Sequence, residues 1–476
     1  MQWNPDDIRR FGARVADIVA EYYAALEAAP IGPRRPDDLP RLFDAPLPEE
    51  GTDPFTLLAE VNGTVIPNSL TIPSPRYFGL FNPTPTVIGV YADAIASLLN
   101  QNMAAWSHGP AGTEIEATVM RWLCGLLGLP DGAFGTLTSG GTIANYTGLK
   151  VALNESVPGL KERGVAAAPG HPILYVSTQA HYSIDRLGNL LGIGTSGVRK
   201  IPCDDRARIR MDLLRERIAA DRSEGRFPFC VIGIAGTTTS GAVDPLEELA
   251  DLCAQEKLWY HVDAAWGGAA RLSRKLSPLL SGIERADSVT LDPHKWFSVP
   301  FVAGAIVTRD GMALRRTFEV SSLYLSDRFM TAHDSMNLYQ YGVAGSRRLD
   351  ALKVWLSMRQ YGRKGYEEAV ERQVALAERL ARQVSDAPDM EPLAPSSLGC
   401  FLFRHTPAGF AGSPADLDSL HLAIQDALMR RSRIWISTSL LNGRRAFRFC
   451  ATSYLSREQH VDEVLPEVRA AAREVS

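Results

Sequence analysis

The chain lacks any apolar run approaching the ~18 residues that a membrane-spanning helix needs. Its six cysteines (Cys124, Cys203, Cys230, Cys253, Cys400 and Cys450) form no C-x-x-C pair. Neither a redox couple nor a zinc ribbon is therefore expected, and reduced, mostly buried thiols in a cytoplasmic protein are. The nine histidines include no H-x-x-x-H or H-E-x-x-H spacing, so no metal site is expected. Charge of one sign is also scarce. A formal net charge of −4 gives no reason to expect a nucleic acid or an anionic membrane as partner. Met1 to Arg10 hold acids, a proline and arginines but no apolar stretch of the secretory kind, so no signal peptide is expected.

What is present is enough chain for more than one core. The length, 476 residues, exceeds the roughly 250–300 at which single cores stop growing. The pattern divides it into 1–83, a helical and extended segment; 84–345, a large α/β domain; and 346–476, a small α+β domain. Residues 5–29 read as an amphipathic helix with Asn4 as N-cap and Pro5 in the first turn. That helix cannot bury its apolar face alone, so it should lie on another domain or on a second subunit.

Candidate strands in the middle segment are Ile173–Ser177, Val198–Pro202, Cys230–Ala235, Trp259–Val262, Ser288–Leu291 and Ala303–Thr308. They alternate with helix-period runs such as Thr142–Leu153, Ser183–Leu191, Asp212–Ala220 and Leu246–Glu256. The alternation predicts a largely parallel sheet with helices on both faces and a ligand beyond the strands' carboxyl ends. Helices Ser346–Tyr361 and Tyr366–Val384, strands near Cys400–Arg404 and Phe447–Ala451, and a helix from Arg457 predict the small domain.

Five features follow strand candidates and share one chemistry. Lys295, in Asp292-Pro293-His294-Lys295-Trp296, sits at a strand end where loss of water makes an amine nucleophilic enough for Schiff-base formation. Asp263 ends an apolar strand, where a free carboxylate costs several kcal/mol unless paired. A protonated pyridine nitrogen, as in pyridoxal phosphate (PLP), is a partner that rationalises it. Thr138-Ser139-Gly140-Gly141-Thr142, before a helix, offers backbone N–H groups, a hydroxyl and a helix N-terminus to a phosphate. His181 is placed to stack on a cofactor ring and to hold a substrate carboxylate. Gly236–Gly241 adds hydroxyls, Thr238 among them. Each feature alone also has a bland reading as a turn, a cap or a core residue. The set of five in one α/β domain does not.

The set resembles the group II PLP-dependent decarboxylases, and most closely their aromatic-L-amino-acid branch. The resemblance spans Pro75–Gly79, Gly112–Glu116, Thr138–Asn145, Gln179–His181, Gly236–Thr239, His261–Ala265, Asp292–Trp296 and Ser346–Arg348. It implies a type I, aspartate-aminotransferase-like fold with a mainly parallel seven-stranded sheet and a small α+β domain. It implies a homodimer with active sites at the subunit interface and the N-terminal helix swapped across it. By the same resemblance, Lys295 carries PLP, and His294, Gly141 and Thr142 serve its phosphate. Asp263 pairs with the ring nitrogen, Ala265 packs under the ring, and His181 stacks over it. Phe81 matches a substrate-pocket aromatic. Asn102 and Ala104 are expected to reach over from the second subunit, where Ala104 leaves room for a bulky ring and Asn102 could serve a polar side chain. The family's loop tyrosine, thought to protonate the substrate, falls on Leu338 when the chain is anchored on Tyr324-Leu325 and Arg347-Arg348, with Tyr339 one step on.

The expected activity is therefore decarboxylation of an L-amino acid, aromatic in the first instance and non-aromatic in the second. An aldehyde synthase, which couples decarboxylation to oxidative deamination, is the rival that Leu338 raises. An aminotransferase is a further rival. It is disfavoured because no arginine directly follows the cleft-facing strand ends to pin the carboxylate in the cofactor plane.

Overall fold

A computed structural model describes residues 3–34, 36–320 and 336–475. Twelve strands occur among them: β1 (Tyr77–Phe78), β2 (Phe134–Thr138), β3 (Pro172–Ser177), β4 (Val198–Ile201), β5 (Phe227–Ile234), β6 (Trp259–Asp263), β7 (Ser288–Leu291), β8 (Gly304–Thr308), β9 (Met390–Pro392), β10 (Cys400–His405), β11 (Trp435–Leu441) and β12 (Arg444–Cys450).

The larger sheet has seven strands in the order β2-β8-β7-β6-β5-β3-β4. Only β8 runs against the rest. Its inner strands β3 and β5 are buried on both faces, as the continuous apolar runs Ile173–Val176 and Val231–Ile234 require. The smaller sheet, β1-β11-β12-β10-β9, is antiparallel apart from the pairing of β1 with β11. Both expected helices after residue 346 exist within Ala351–Ser385, which breaks at Gly362 where φ is +59°. The helix begins five residues later than expected.

The helix Pro5–Ala25 forms as the sequence reads, with Asn4 capping the N–H of Asp7 at 2.8 Å. None of its residues is buried, and Ile8 is 57% exposed. Its apolar stripe is thus only half covered within the chain: Phe11 packs on Phe55 and Tyr23 donates to the Pro85 carbonyl, while Ile8 and Val15 stay exposed.

Two histidines are folded in as neutral rings. Burial pushes His421, on the helix Pro414–Arg431, and His261, in β6, down to about 4. His421 Nε2 lies 3.1 Å from the N–H and 3.0 Å from the carbonyl of His405, and the neutral ring that burial favours accepts from the first. Between pH 6.5 and 4 the unfolded chain binds protons at these rings that the native chain does not, so stability rises with pH across that window. Each ring contributes up to about 3 kcal/mol of acid destabilisation, the product of its shift and 1.36 kcal/mol per unit. Asp244, which burial raises to about 7, opposes the two rings in this window, and urea midpoints should still fall from pH 6.5 to pH 5. His421→Gln, which keeps an acceptor but no titration, should make the fall shallower.

Candidate active site

One cleft lies beyond the carboxyl ends of β2, β3, β5, β6 and β7. Its walls include Ser139, Gly141, Thr142, His181, Thr238, Asp263, Ala265, His294, Lys295 and Phe81. All expected cofactor residues thus meet at one place, although they come from five loops spread over more than 150 positions.

The floor is the N-terminus of the helix Gly141–Ser156. Gly140 precedes it at φ +107°, a conformation glycine adopts without strain, and no side chain caps the helix. The first N–H groups of such a helix need an acceptor. A Cβ at Gly141 would stand 2.5 Å from Asp292 Oδ2, so a side chain there would close the cradle. An uncapped helix end beside Ser139, Thr142 and His294 is a donor set suited to a phosphate. His294 is anchored through Nδ1 to the Ala303 carbonyl at 2.8 Å, and burial lowers its pKa.

Asp263 closes β6 and faces the same cleft. Its carboxylate accepts from Asn145 Nδ2 at 2.9 Å and from the N–H of Ala265 at 3.1 Å. Lys295 Nζ stands 3.0 Å from Asp292 Oδ2. Asp292 is buried and its Oδ1 has no partner among the described residues. His181 Nδ1 is tied to Ser183 Oγ at 2.8 Å, which leaves Nε2 for a ligand; burial lowers the ring's pKa and favours its neutral form. The cleft therefore holds an anion binder, a carboxylate with no cationic side chain bonded to it (Asp263), a primary amine paired with Asp292 and a neutral imidazole, which together match the ring, phosphate and aldehyde of PLP.

Phe81 lies in a stack of three rings. It packs on Trp266 at 4.0 Å between centroids, and Trp266 packs on Trp296 at 4.5 Å. The tryptophan beside Lys295 is thus a core pillar rather than a wall of the cleft. Arg448 lies 4.6 Å from the Phe81 centroid and donates to the carbonyls of Thr238 and Gly79. It is buried, and its Nη2 has no partner among the described residues. Arg448 belongs to β12 of the other sheet, so it escapes any search confined to residues that follow cleft-facing strands. Asn145 and Asp292 carried no role in the sequence reading either. Asn145 follows Gly141 by one helical turn, a spacing that aims it at the same cleft.

Asn102, Ala104 and Tyr339 are not brought to this cleft by their own chain. They sit together elsewhere: the N–H of Tyr339 donates to the Ala104 carbonyl at 3.1 Å, and Asn102 Oδ1 accepts from the N–H groups of Ala104 and Arg347. Leu338 is buried among Met103, Leu349 and Leu352. The loop anchor Tyr324-Leu325 lies outside the described residues.

The pyridoxal-dependent decarboxylase conserved domain matches residues 36–406. An aromatic-L-amino-acid decarboxylase of Bacillus atrophaeus is 34% identical over 100% of this chain and 98% of that protein. An L-2,4-diaminobutyrate decarboxylase of Rhizobium meliloti is 31% identical over 90% of this chain and 84% of that protein. The crystal structure of Oryza sativa TDC with PLP and tryptamine superposes with a TM-score of 0.93 at 26% identity, covering 100% of this chain and 99% of that one. With the type I fold in place, a cleft that fits the cofactor and a match across most of its length, the chain belongs to the pyridoxal-dependent decarboxylase family and is a PLP-dependent amino-acid carboxy-lyase.

Proposed function

We propose that this enzyme removes the α-carboxylate of an aromatic L-amino acid and releases the amine. The observation that carries the reading is that Lys295 Nζ and the Asp263 carboxylate share one cleft over the open end of the helix Gly141–Ser156. Lys295 would hold the cofactor through its amine, with Gly141, Thr142 and His294 around the phosphate, Thr238 and Ala265 beside the ring and Asp263 at its nitrogen. Bound PLP supplies an electron sink for the pair left on Cα when CO₂ departs. The chain's own residues select which bond breaks, because the bond must stand across the cofactor plane. His181, with Nε2 free, is placed to hold the carboxylate there. Arg448 is a buried cation 4.6 Å from the Phe81 ring, which borders the cleft. The aromatic class is supported by the name of the Bacillus relative and by the Phe81–Trp266 wall.

The enzyme is proposed to act as a cytoplasmic homodimer. The unburied helix Pro5–Ala25 supports the second subunit, and six free thiols suit a reducing compartment. Asn102, Ala104 and Tyr339 would then serve the neighbouring subunit's cleft, Tyr339 as the acid. The burial of Leu338 favours a second reading, an aldehyde synthase, should no acid reach the substrate.

Twenty amino acids, dopa and 5-hydroxytryptophan should be assayed for CO₂, amine, aldehyde and oxygen uptake together. Equimolar amine and CO₂ from an aromatic substrate is the expected result. Aldehyde with peroxide establishes the second reading, and turnover confined to diaminobutyrate or an acidic substrate overturns the aromatic class.

A further inference from the structure

From Asp263 a line of polar groups runs back along β6, bordering the cleft only at Asp263 and Asn145, and the chemistry above does not use it. Trp259, His261 and Asp263 alternate along β6 and so face the same side of the sheet. Trp259 Nε1 donates to Ser288 Oγ at 2.8 Å. Ser288 Oγ lies 2.8 Å from His261 Nδ1, and His261 Nε2 lies 2.9 Å from Asn145 Oδ1. Asn145 Nδ2 reaches Asp263 Oδ2 at 2.9 Å. His261, Ser288 and Asn145 are all buried. The imidazole lies flat against the helix Gly141–Ser156 because position 148 is glycine: a Cβ there would stand 2.9 Å from His261 Cε1.

The ends of this line, with a neutral ring between them, fix every donor in it. An indole N–H can only donate, and a carboxylate can only accept. Ser288 accepts from Trp259 and, because the buried ring is neutral, gives its own proton to His261 Nδ1. His261 must carry its proton on Nε2 and give it to Asn145 Oδ1, and Asn145 must turn its NH₂ to Asp263. All four bonds point one way, towards the carboxylate, and bonds in such a chain polarise one another.

We propose that Trp259, Ser288, His261 and Asn145 form a one-way, uncharged relay that orients Asp263 and leaves its negative charge undivided for the cofactor nitrogen. His261 and Asn145 are positioning residues. The inference rests on the assignment of Asp263 made above. A cationic His261 would compete with the cofactor for that charge; a neutral ring contributes dipoles alone. Asp263 is the charged group facing the ring, and burial keeps the imidazole neutral.

The test uses the full chain, with histidine nitrogens labelled, in the presence and absence of PLP. Nitrogen NMR, with the His261 signal identified by its loss in a variant, should show a neutral Nε2–H tautomer from pH 8 down to about 5.5. The Nδ1–H tautomer, or titration near the ordinary histidine value of about 6.5, overturns the relay. In parallel, His261→Leu should lower kcat by about tenfold or more with KM changed less than about twofold, and should weaken PLP binding. His261→Gln, whose amide offers a donor and an acceptor in similar positions, should recover most of the loss. Equal damage from Gln and Leu would mean that only ring volume matters and would overturn the proposal. If His261→Leu does not fold, the tautomer decides alone. Failure of the Asp263 assignment is separately visible: Asp263→Asn would then retain kcat, whereas the tautomer in the PLP-free chain does not depend on it.

Discussion

Lys295→Arg keeps the fold and the cleft's charge balance and abolishes turnover, by about 10⁴-fold or more, the scale on which loss of a reacting group is felt. The choice of arginine follows from Asp292. That carboxylate is buried and sits 3.0 Å from Lys295 Nζ, so removing the amine strands an anion. Breaking a buried pair from one side costs about 3–5 kcal/mol. In the PLP-free chain Lys295→Ala should therefore lower the unfolding midpoint as well as activity, and its inactivity alone would be ambiguous. A guanidinium still faces Asp292 but cannot form the covalent link that a primary amine forms. Lys295→Arg should unfold near the wild-type midpoint, take up PLP more weakly, and yield no labelled peptide after borohydride reduction. Wild type should yield one, at position 295. A label on another amine, or activity in Lys295→Arg above a thousandth of wild type, sinks the assignment.

The residues that were legible in the sequence share a property. Lys295, Asp263 and His181 each follow a strand candidate closely, and a parallel sheet gathers such positions at one edge. The strands β3, β4, β6, β7 and β8 were read to within a residue or so for the same reason. β2 was not among the candidates although it leads into the phosphate cradle. Its Gly135 breaks the apolar pattern, and the structure shows why it must: a Cβ there would stand 2.2 Å from the Ile306 carbonyl of the antiparallel neighbour β8. β1 has two residues, and its partner β11 lies more than 350 positions away, so no local pattern announces it. Arg448 is hidden likewise, since it enters from the second sheet. The relay behind Asp263 was half legible: Trp259, His261 and Asp263 show the period of a strand face, but Asn145 and Ser288 join them only through tertiary packing.

Asp263→Asn should leave PLP attached to Lys295 and still lower kcat by about 10² to 10⁴-fold. The two side chains have nearly the same shape, so the cleft survives and borohydride should still label position 295. What changes is charge and hydrogen-bond polarity. Asp263 accepts from two donors, the Asn145 amide and the Ala265 N–H. An asparagine has one acceptor oxygen and one NH₂, so one of those donors would meet another donor. Either the new amide turns out of line or Asn145 flips and disturbs His261 behind it. The lost anion matters more. Without it nothing in the cleft wall keeps the cofactor nitrogen protonated, and the electron pair left by the departing carboxylate has a poorer sink. KM should move little, because the substrate's carboxylate and side chain meet other residues. Steady-state kinetics on Asp263→Asn with the best substrate of the panel is the measurement. A fall confined to KM, or loss of the covalent label, would place Asp263 in cofactor capture rather than in the chemical step.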